Sequence, residues 1–285
     1  MADTDDIASL LARLVRADQE RFSDDHADEP LFDAPMPAIA SADDPWFARF
    51  KSLIGPHHWT PAEALAMSAP GATARSVISW CLPVSERSRR DNRGQDYLPA
   101  RSWARVRTFG EELNSRLRRR VVEALRQMGC KATAPGIAEP NTVRRAEGVG
   151  LSSCWSERHV AFVAGLGTFG ISGGLITRRG IAHRLGSVVT DLELPATPRE
   201  YGEDPFAWCL KTARGTCGAC IARCPVGSIG CSADERDKEA CYHHTMETVS
   251  RLGPEQFGWQ GVYGCGLCQT GVPCEFRNPL GLKGA

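Results

Sequence analysis

The sequence lacks the signals that would direct a protein into a membrane or out of the cell. Residues 1–6 are acidic and contain neither a basic region nor a twin arginine, so we expect no export and a cytoplasmic protein. The 17-residue stretch without charge, Val160–Ile176, contains five glycines, which disfavour helix formation and transfer into lipid. We therefore expect a buried glycine-rich turn there and no membrane span.

Net charge is also absent, because 34 lysines and arginines balance 34 aspartates and glutamates. A neutral chain gives no reason to expect binding to nucleic acid or to an anionic membrane surface. With 285 residues, of which 42% are hydrophobic and 24% charged, the chain has the composition of a globular protein and the length of two domains. No internal repeat is visible apart from a doubled cysteine pattern.

Cysteine is what the sequence has in quantity, with twelve residues in all. Cys217, Cys220 and Cys224 follow the spacing of a bacterial ferredoxin run, in which the last cysteine precedes a proline. This short spacing lets one loop aim three thiolates at iron, and the proline prevents a regular helix from closing over the site. The first cysteine of the run is missing, and Cys209 is the nearest upstream candidate, with Cys231 in reserve.

A second set of cysteines follows further along the chain. In two-cluster ferredoxins the last cysteine of each run ligates the cluster of the other run. The same exchange here predicts two [4Fe–4S] clusters. The first is assigned Cys209, Cys217, Cys220 and Cys274, and the second is assigned Cys224, Cys241, Cys265 and Cys268.

Zinc and disulfides are the competing interpretations of these cysteines. Paired Cys-x2-Cys knuckles also build four-cysteine zinc sites, but such sites need neither a Cys-x3-Cys-Pro ending nor an interleaved second set. Disulfides do not persist in a reducing cytosol. The pattern therefore favours iron–sulfur clusters.

The apolar periodicity predicts a mixed α/β (α+β) protein. Helices are expected over residues 1–20, 106–128 and 157–164, with another that begins at the N-cap Thr60. Strands are expected over residues 76–82, 131–134, 174–178 and 184–194. Loops are indicated by the acidic, proline-rich residues 22–45 and the polar residues 135–151.

The segment Glu157–Gly170 resembles the epoxyqueuosine reductases, which are cobalamin-dependent iron–sulfur enzymes related to the reductive dehalogenases. Leu185–Leu194 and the cysteine pattern are similar to further motifs of that family, so the likeness covers about residues 74–280. The resemblance implies a nitroreductase-like, corrinoid-binding type of α/β domain over residues 74–200. It also implies a C-terminal two-cluster ferredoxin-like domain over residues 201–285, and an N-terminal helical or irregular arm over residues 1–73.

In such enzymes the clusters pass electrons to the cofactor, which carries the difficult step. The resemblance implies that Gly165, Gly167 and Gly170 let the backbone approach that cofactor, because a side chain would obstruct it.

The sequence departs from the family at three places. The family's general acid lies in an Asp-Thr-Gly-Pro element, and Leu151–Cys154 stands there instead. A lysine of the family is lost at Thr168–Ser172, and the chain ends about eleven residues after Cys274, without the helical-repeat extension that helps to bind tRNA. We therefore expect no stable tRNA binding, and a substrate other than epoxyqueuosine.

Several single residues have two interpretations each. Cys154 stands where the family has its acid and is a candidate proton donor or redox thiol, or else a small residue that packs beside a tryptophan. His159 is a candidate proton donor or cobalt ligand, or else a helix-end hydrogen bonder. The arginines of the long helix are expected mostly in solvent, with an anion contact as the alternative: Arg116, Arg118, Arg119 and Arg120.

The leading hypothesis is an iron–sulfur oxidoreductase that resembles epoxyqueuosine reductase. A donor of the ferredoxin or flavodoxin type would supply electrons to two clusters, and a small molecule or modified nucleoside would be reduced in the pocket. Whether the pocket holds cobalamin stays open. The alternative is a non-catalytic ferredoxin-type electron carrier or accessory protein without cobalamin.

Overall fold

The computed structural model of the chain describes residues 4–22, 30–139, 143–146 and 149–281. The α-helices are α1 (Thr4–Phe22), α2 (Pro45–Leu53), α3 (Pro61–Ala66), α4 (Glu86–Arg93), α5 (Arg101–Gln127), α6 (Glu157–Val163), α7 (Leu210–Arg214), α8 (Ala219–Ala222), α9 (Lys238–Tyr242) and α10 (Val249–Phe257). The strands are β1 (Met36–Ser41), β2 (Ser76–Pro83), β3 (Ala132–Thr133), β4 (Val143–Ala146), β5 (Gly150–Ser153), β6 (Gly167–Phe169), β7 (Leu175–Thr177) and β8 (His183–Thr190).

A four-stranded antiparallel sheet with the order β1-β2-β8-β3 forms the centre of the fold. Its two inner strands are buried on both faces, and their side chains alternate between two hydrophobic cores. Ile78, Trp80 and Leu82 of β2 face the core that α1 and α5 cover. Val77 and Cys81 face the other core, which α2, α3 and α6 cover. The sheet thus holds α5 and α6 on opposite sides.

A glycine-rich turn follows α6 and leads into the β6–β7 hairpin. Gly165 has φ of 90°, a backbone conformation that favours glycine. A Cβ at Gly167 would overlap the carbonyl oxygen of Ile176 in the neighbouring strand. The charge-free stretch 160–176 is therefore a buried helix, turn and hairpin, as its glycines predict. Within the described residues, no helix has both the length and the hydrophobicity needed to cross a bilayer.

The cysteine-bearing C-terminal segment is fastened to the rest of the protein through α4. The Arg223 guanidinium donates to the carbonyl oxygens of Gln95 (2.8 Å) and Asn92 (3.1 Å), and also to that of Thr270 (3.0 Å). Glu275 is only 2% exposed and accepts from Arg93 at 2.6 Å. Because these contacts join residues far apart in sequence, α4 fixes the cysteine loops against the sheet.

The mixed α/β class predicted from the sequence is confirmed, and Thr60 caps α3 with Glu63 in the predicted capping box. The prediction of a loop over residues 22–45 is wrong at Met36–Ser41, which pairs with β2 at the sheet edge. Residues 23–29 of that predicted loop lie outside the described residues. The predicted irregular connection 135–151 contains the β4–β5 hairpin. The predicted domain boundaries stay predictions.

A histidine beneath α6 predicts acid sensitivity. His58 is buried, its ring lies parallel to Trp155, and its Nε2 accepts a hydrogen bond from the backbone N–H of Ser156 at 3.1 Å. Burial, followed by repulsion from His57 and Lys51, lowers the pKa of His58 to about 4. As the pH falls from about 6.5 to about 4, the unfolded chain binds a proton that the folded protein rejects, so stability falls.

We expect denaturant unfolding to show this loss, and the variant His58→Gln to reduce it by roughly 2–3 kcal/mol. His243→Gln is the control, because that imidazole is exposed and paired with Glu247. An acid limb that is unchanged in His58→Gln would contradict the prediction.

Candidate metal centre and adjoining cavity

Four cysteines from both ends of the C-terminal segment lie together. Cys209 is the N-cap of α7, Cys220 lies in α8, and Cys217 lies between these two helices. Burial and then the thiolates of Cys209 and Cys217 raise the pKa of Cys220 to about 11. Burial and the same neighbours, with Cys220, raise the pKa of Cys274 to about 12. We call Cys209, Cys217, Cys220 and Cys274 the first cysteine group.

The first cysteine group lines one small cavity, whose other walls include the apolar side chains of Ile171, Ile176 and Val272. Gly215, with φ of 68°, ends α7 and turns the chain back toward the group. Cys231, the reserve candidate, is exposed and does not line this cavity. Of the two candidates, the structure therefore brings Cys209 to the other three cysteines.

The remaining four predicted ligands form a second cysteine group of Cys224, Cys241, Cys265 and Cys268. Burial and the thiolates of Cys241 and Cys224 raise the pKa of Cys265 to about 11. Burial and then Cys265 raise the pKa of Cys268, and both Cys241 and Cys220 add to the shift. Because Cys220 belongs to the first group, the two groups are neighbours.

Polar groups surround the sulfur atoms of the second cysteine group. The backbone N–H of Ser228 donates to Sγ of Cys224 at 3.2 Å, and the Arg236 guanidinium donates to Sγ of Cys241 at 3.7 Å. The Arg158 guanidinium also interacts electrostatically with Cys241 and Cys268. Such donors stabilise negative charge on sulfur and raise the reduction potential of a cluster that sulfur ligates.

The glycine between two of these cysteines has a structural cause. Gly266 has φ of 70°, and a Cβ there would overlap the indole of Trp103 in α5. The Cys-Gly-Leu-Cys turn can therefore approach α5 only with glycine at this position. Asn92 also donates to the carbonyl oxygen of Cys265 at 3.4 Å, which attaches the same turn to α4.

The described residues contain no compact site for a single metal ion. In residues 4–22, 30–139, 143–146 and 149–281, no three side chains of His, Cys, Asp or Glu converge on a point where one metal ion could bind. A tetrahedral zinc site would hold its sulfurs within about 4 Å of one another, since each Zn–S bond is about 2.3 Å long. The twelve cysteines, all described, form no disulfide.

A cavity of about 470 Å³ adjoins the second cysteine group. All four cysteines of that group line it, together with residues of α5, α6 and β8. Its ionisable side chains, apart from the cysteines, are Arg107, Glu111, Arg118, Glu157, Arg158, His183, Arg184, Arg236 and His244. A cavity of this volume accommodates a ligand of ordinary drug size.

Two carboxylates in the cavity wall share one buried arginine. Arg118 is 3% exposed and contacts Glu157 at 3.2 Å and Glu111 at 3.0 Å. Burial raises the pKa of Glu157, although Arg118 and the Ser187 hydroxyl oppose the shift. Burial acts on Glu111 in the same direction, but Arg184 and Arg118 outweigh it and lower the pKa of Glu111. The two carboxyl groups are thus driven toward different protonation states.

The glycines predicted to approach a cofactor lie against the protein itself. A Cβ at Gly165 would meet the carbonyl oxygens of Pro198 (3.1 Å) and Thr197 (3.3 Å), and Gly167 faces Ile176. Gly170 lines the small cavity of the first cysteine group, and none of the three lines the 470 Å³ cavity. Their predicted role in cofactor binding stays a prediction that these contacts do not support.

The two candidate catalytic residues also lie away from the large cavity. Cys154 is 1% exposed, and its carbonyl oxygen accepts from the backbone N–H of Trp59. His159 bonds the hydroxyl of Ser156 through Nδ1 at 2.7 Å, and its ring packs against Phe50 and Phe169. Burial and then Arg158 lower the pKa of His159 well below its usual value, so the imidazole is neutral. Their catalytic roles stay predictions.

The solvent position expected for the arginines of α5 is wrong for Arg118, which is buried between two carboxylates. Sequence reasoning also missed Arg107, Arg184 and His183 as cavity residues. The one available signal was the spacing of Arg107, Glu111 and Arg118, which places these charges near one face of α5.

Comparison with known proteins relates the fold to two groups of solved structures. No protein-family model and no curated protein matches the chain. A catabolic reductive dehalogenase in complex with 3-bromo-4-hydroxybenzoic acid has a TM-score of 0.54 and 15% identity, over 86% of this chain and 30% of that chain. A reductive dehalogenase structure described in terms of B12-dependent dehalogenation has a TM-score of 0.51 and 14% identity, over 82% and 29%.

Epoxyqueuosine reductase from Bacillus subtilis matches with a TM-score of 0.48 and 16% identity, over 94% of this chain and 66% of that chain. The fold resemblance expected from the sequence is confirmed for the reductive dehalogenases, whose TM-scores exceed 0.5. At these identities the likeness concerns the fold alone, and the chain spans less than a third of the dehalogenases that it matches.

Replacing single cysteines tests which sulfurs act together. We expect Cys209→Ser to lose one cluster, about four of eight irons, because Cys209 lies with the first cysteine group. The matched control Cys231→Ser removes an exposed thiol and should retain all the iron. Iron and sulfide are counted after anaerobic reconstitution, and full retention in Cys209→Ser would refute this assignment.

Proposed function

We propose that this protein is an iron–sulfur oxidoreductase in which two [4Fe–4S] clusters pass electrons to a molecule bound in the 470 Å³ cavity. The observation that carries the proposal is the sorting of eight sulfurs into two adjacent groups of four, one of which forms part of the cavity wall. In this proposal, residues 201–285 are a two-cluster ferredoxin-like domain on a pocket domain of residues 74–200.

The donor set fits this kind of cluster. Each group supplies four thiolates, and a cuboidal cluster holds its ligand sulfurs around the outside of a cube, farther apart than a single ion does. Cys209, Cys217, Cys220 and Cys274 would hold one cluster, and Cys224, Cys241, Cys265 and Cys268 the other. When bound, the clusters supply one-electron transfer, and all other chemistry is left to side chains of the cavity.

Electrons would enter through the first cysteine group. Residues 212–216, which connect Cys209 to Cys217, are exposed, so this group lies near the surface. Lys211 and Arg214 flank it and would favour an acidic redox partner of the ferredoxin or flavodoxin type. The second cysteine group would then deliver electrons into the cavity. A plain electron carrier needs no such cavity, which favours a reductase.

The residues present do not fit the corrinoid that the resemblance implies. The cavity of about 470 Å³ suits a drug-sized ligand, whereas a corrinoid adds amide side chains and a nucleotide tail to a large macrocycle. The glycines expected to form its cradle, Gly165 and Gly167, face the protein's own backbone. No step is therefore assigned to cobalamin.

Glu157 is the side chain that best fits a proton donor in the cavity. Reducing a substrate by two electrons usually also requires protons. The acid that supplies them in the resembling family is absent at Leu151–Cys154, so another residue has to donate the proton. The raised pKa of Glu157 and the lowered pKa of Glu111 are the kind of contrast that distinguishes an acid from an ionised partner. Glu157 would hold the proton, and Arg118 and Ser187 would orient its carboxyl group.

Chemical analysis tests the clusters directly. Anaerobically reconstituted protein should contain about eight irons and eight sulfides per chain, since each cluster has four of each. Reduction with dithionite should give the paramagnetic spectrum of two interacting clusters. One zinc per chain with no sulfide would refute the proposal.

The same preparation tests whether the cavity binds a corrinoid. Added cob(II)alamin should keep the spectrum of its free form, because the cavity does not fit it. A shift to the base-off spectrum at one equivalent would show that the cavity opens to admit a corrinoid, and would replace this part of the proposal with cobalamin chemistry.

Infrared spectroscopy tests the protonation of Glu157. We expect a protonated-carboxyl band that persists above the pH at which ordinary glutamates ionise, because burial raises the pKa of Glu157. The band should be lost in Glu157→Gln, which keeps the side-chain shape, and retained in the control Glu123→Gln, whose carboxylate is exposed. A band unchanged in Glu157→Gln would exclude this residue as the acid.

A further inference from the structure

The large cavity contains more positive than negative charge. Five arginines line it, but only two carboxylates: Arg107, Arg118, Arg158, Arg184 and Arg236 against Glu111 and Glu157. Burying uncompensated charge is costly, so such a surplus calls for an anion.

Three of these five arginines form no ion pair with the carboxylates of the cavity wall. Glu111 is the ionised carboxylate of the wall and pairs with Arg118 at 3.0 Å and with Arg184 at 3.2 Å. Glu157 also contacts Arg118, but it compensates no charge while it holds the proton. Among the described residues, no ion pair within 4.0 Å reaches Arg107, Arg158 or Arg236. Glu111 thus compensates the charge on one side of the cavity only.

The second cysteine group takes up part of the surplus. Arg236 donates to Cys241 and would balance the negative charge of a cluster. Arg158 interacts electrostatically with Cys241 and Cys268 without a hydrogen bond to either sulfur, and it also lines the cavity. The electrostatic partners of Arg107 include Arg184, Tyr263 and Glu111. Its guanidinium lies over the ring of Tyr263, 4.8 Å from the centroid, and next to Gly264, where a Cβ would meet Nε at 2.5 Å.

Arg107 is repelled by two other arginines of the cavity, Arg184 and Arg158. Burial lowers the pKa of Arg107 to about 10, and the positive charges of Arg184 and Arg158 act in the same direction. Tyr263 and Glu111 oppose the shift. His183 lies near Arg184 and Arg158 and donates through Nε2 to the Leu175 carbonyl oxygen at 2.7 Å. Burial lowers the pKa of His183 to about 4, so this imidazole adds no charge at neutral pH.

We propose that Arg107, Arg158 and Arg184 bind the carboxylate or phosphate group of a small organic anion, and so hold the substrate beside the second cysteine group. Guanidinium groups form paired hydrogen bonds with both kinds of oxyanion, and a bound anion removes the repulsion between them. The cavity volume limits the rest of the ligand to drug size. This inference names the substrate class of the proposed reductase and takes the position of the substrate from it.

Three probes that share one aromatic ring test whether the site binds a carboxylate, a phosphate or a neutral group. Benzoate and phenyl phosphate carry the two candidate groups, and benzamide is the neutral match. Binding is measured by anaerobic calorimetry on reconstituted protein, with iron and sulfide counted in the same sample. We expect at least one anion to bind with a Kd of about 1 mM or tighter, and benzamide to bind at least about tenfold more weakly.

Arginine variants locate the binding. Arg107→Gln and Arg158→Gln should each weaken binding of the anion about tenfold or more, since each removes a charged hydrogen-bond donor. Arg119→Gln removes a charge from the exposed face of α5 and should leave the Kd unchanged. Thermal unfolding and the iron content of each variant distinguish a lost contact from a lost fold.

The outcomes separate this inference from the proposed function. Loaded clusters with no anion binding, or with equal binding of benzamide, overturn the anion site and leave the oxidoreductase standing. An equal loss in Arg119→Gln also overturns it, because the effect would then come from surface charge. Reconstituted protein without sulfide refutes the proposed function, whatever the probes do. Anion binding that depends on Arg107 and Arg158 supports the site in either case.

Discussion

Sulfur atoms that are buried close together resist ionisation, and this constraint shapes the C-terminal half of the protein. Each thiolate raises the pKa of its neighbours, as Cys274 shows with three other cysteines beside it. Only a strongly positive centre lets four such sulfurs ionise together. The protein therefore has to hold the cysteine loops in position by other contacts, and it does so through Arg223, Asn92 and Glu275.

The same electrostatic logic extends into the cavity. Arg158 is exposed where it lines the open cavity beside the second cysteine group. Arg118 is instead compensated by Glu111 and Glu157 from two different helices. A small residue, Gly136, leaves room for this network, since a Cβ there would overlap the Glu157 carboxylate. The charged wall is thus built into the packing of α5 and α6.

The sequence predicts the elements whose pattern is local. The apolar periodicity of α5 and the β-branched run of β2 appear at nearly the predicted bounds, and the spacing of the cysteines predicts which sulfurs become neighbours. The sequence-based prediction fails for β1, because the surrounding residues are acidic and rich in proline. This short apolar strand is stabilised by pairing with β2, which the local sequence does not indicate. The burial of Arg118 is hidden from the sequence for a similar reason, since its partner Glu157 lies 39 residues away. Gly165 and Gly167 were assigned to a ligand because sequence cannot tell whether a close approach is to a cofactor or to the chain itself.

The interleaving of the two cysteine groups has a consequence for how the protein matures. Cys274 completes a set that begins at Cys209, whereas Cys224 joins a set that ends at Cys268. Neither set can close from a local stretch of chain, so the loop closure for each needs most of the segment to be in place. In the proposed oxidoreductase, cluster insertion and folding of the last third of the chain would therefore be coupled.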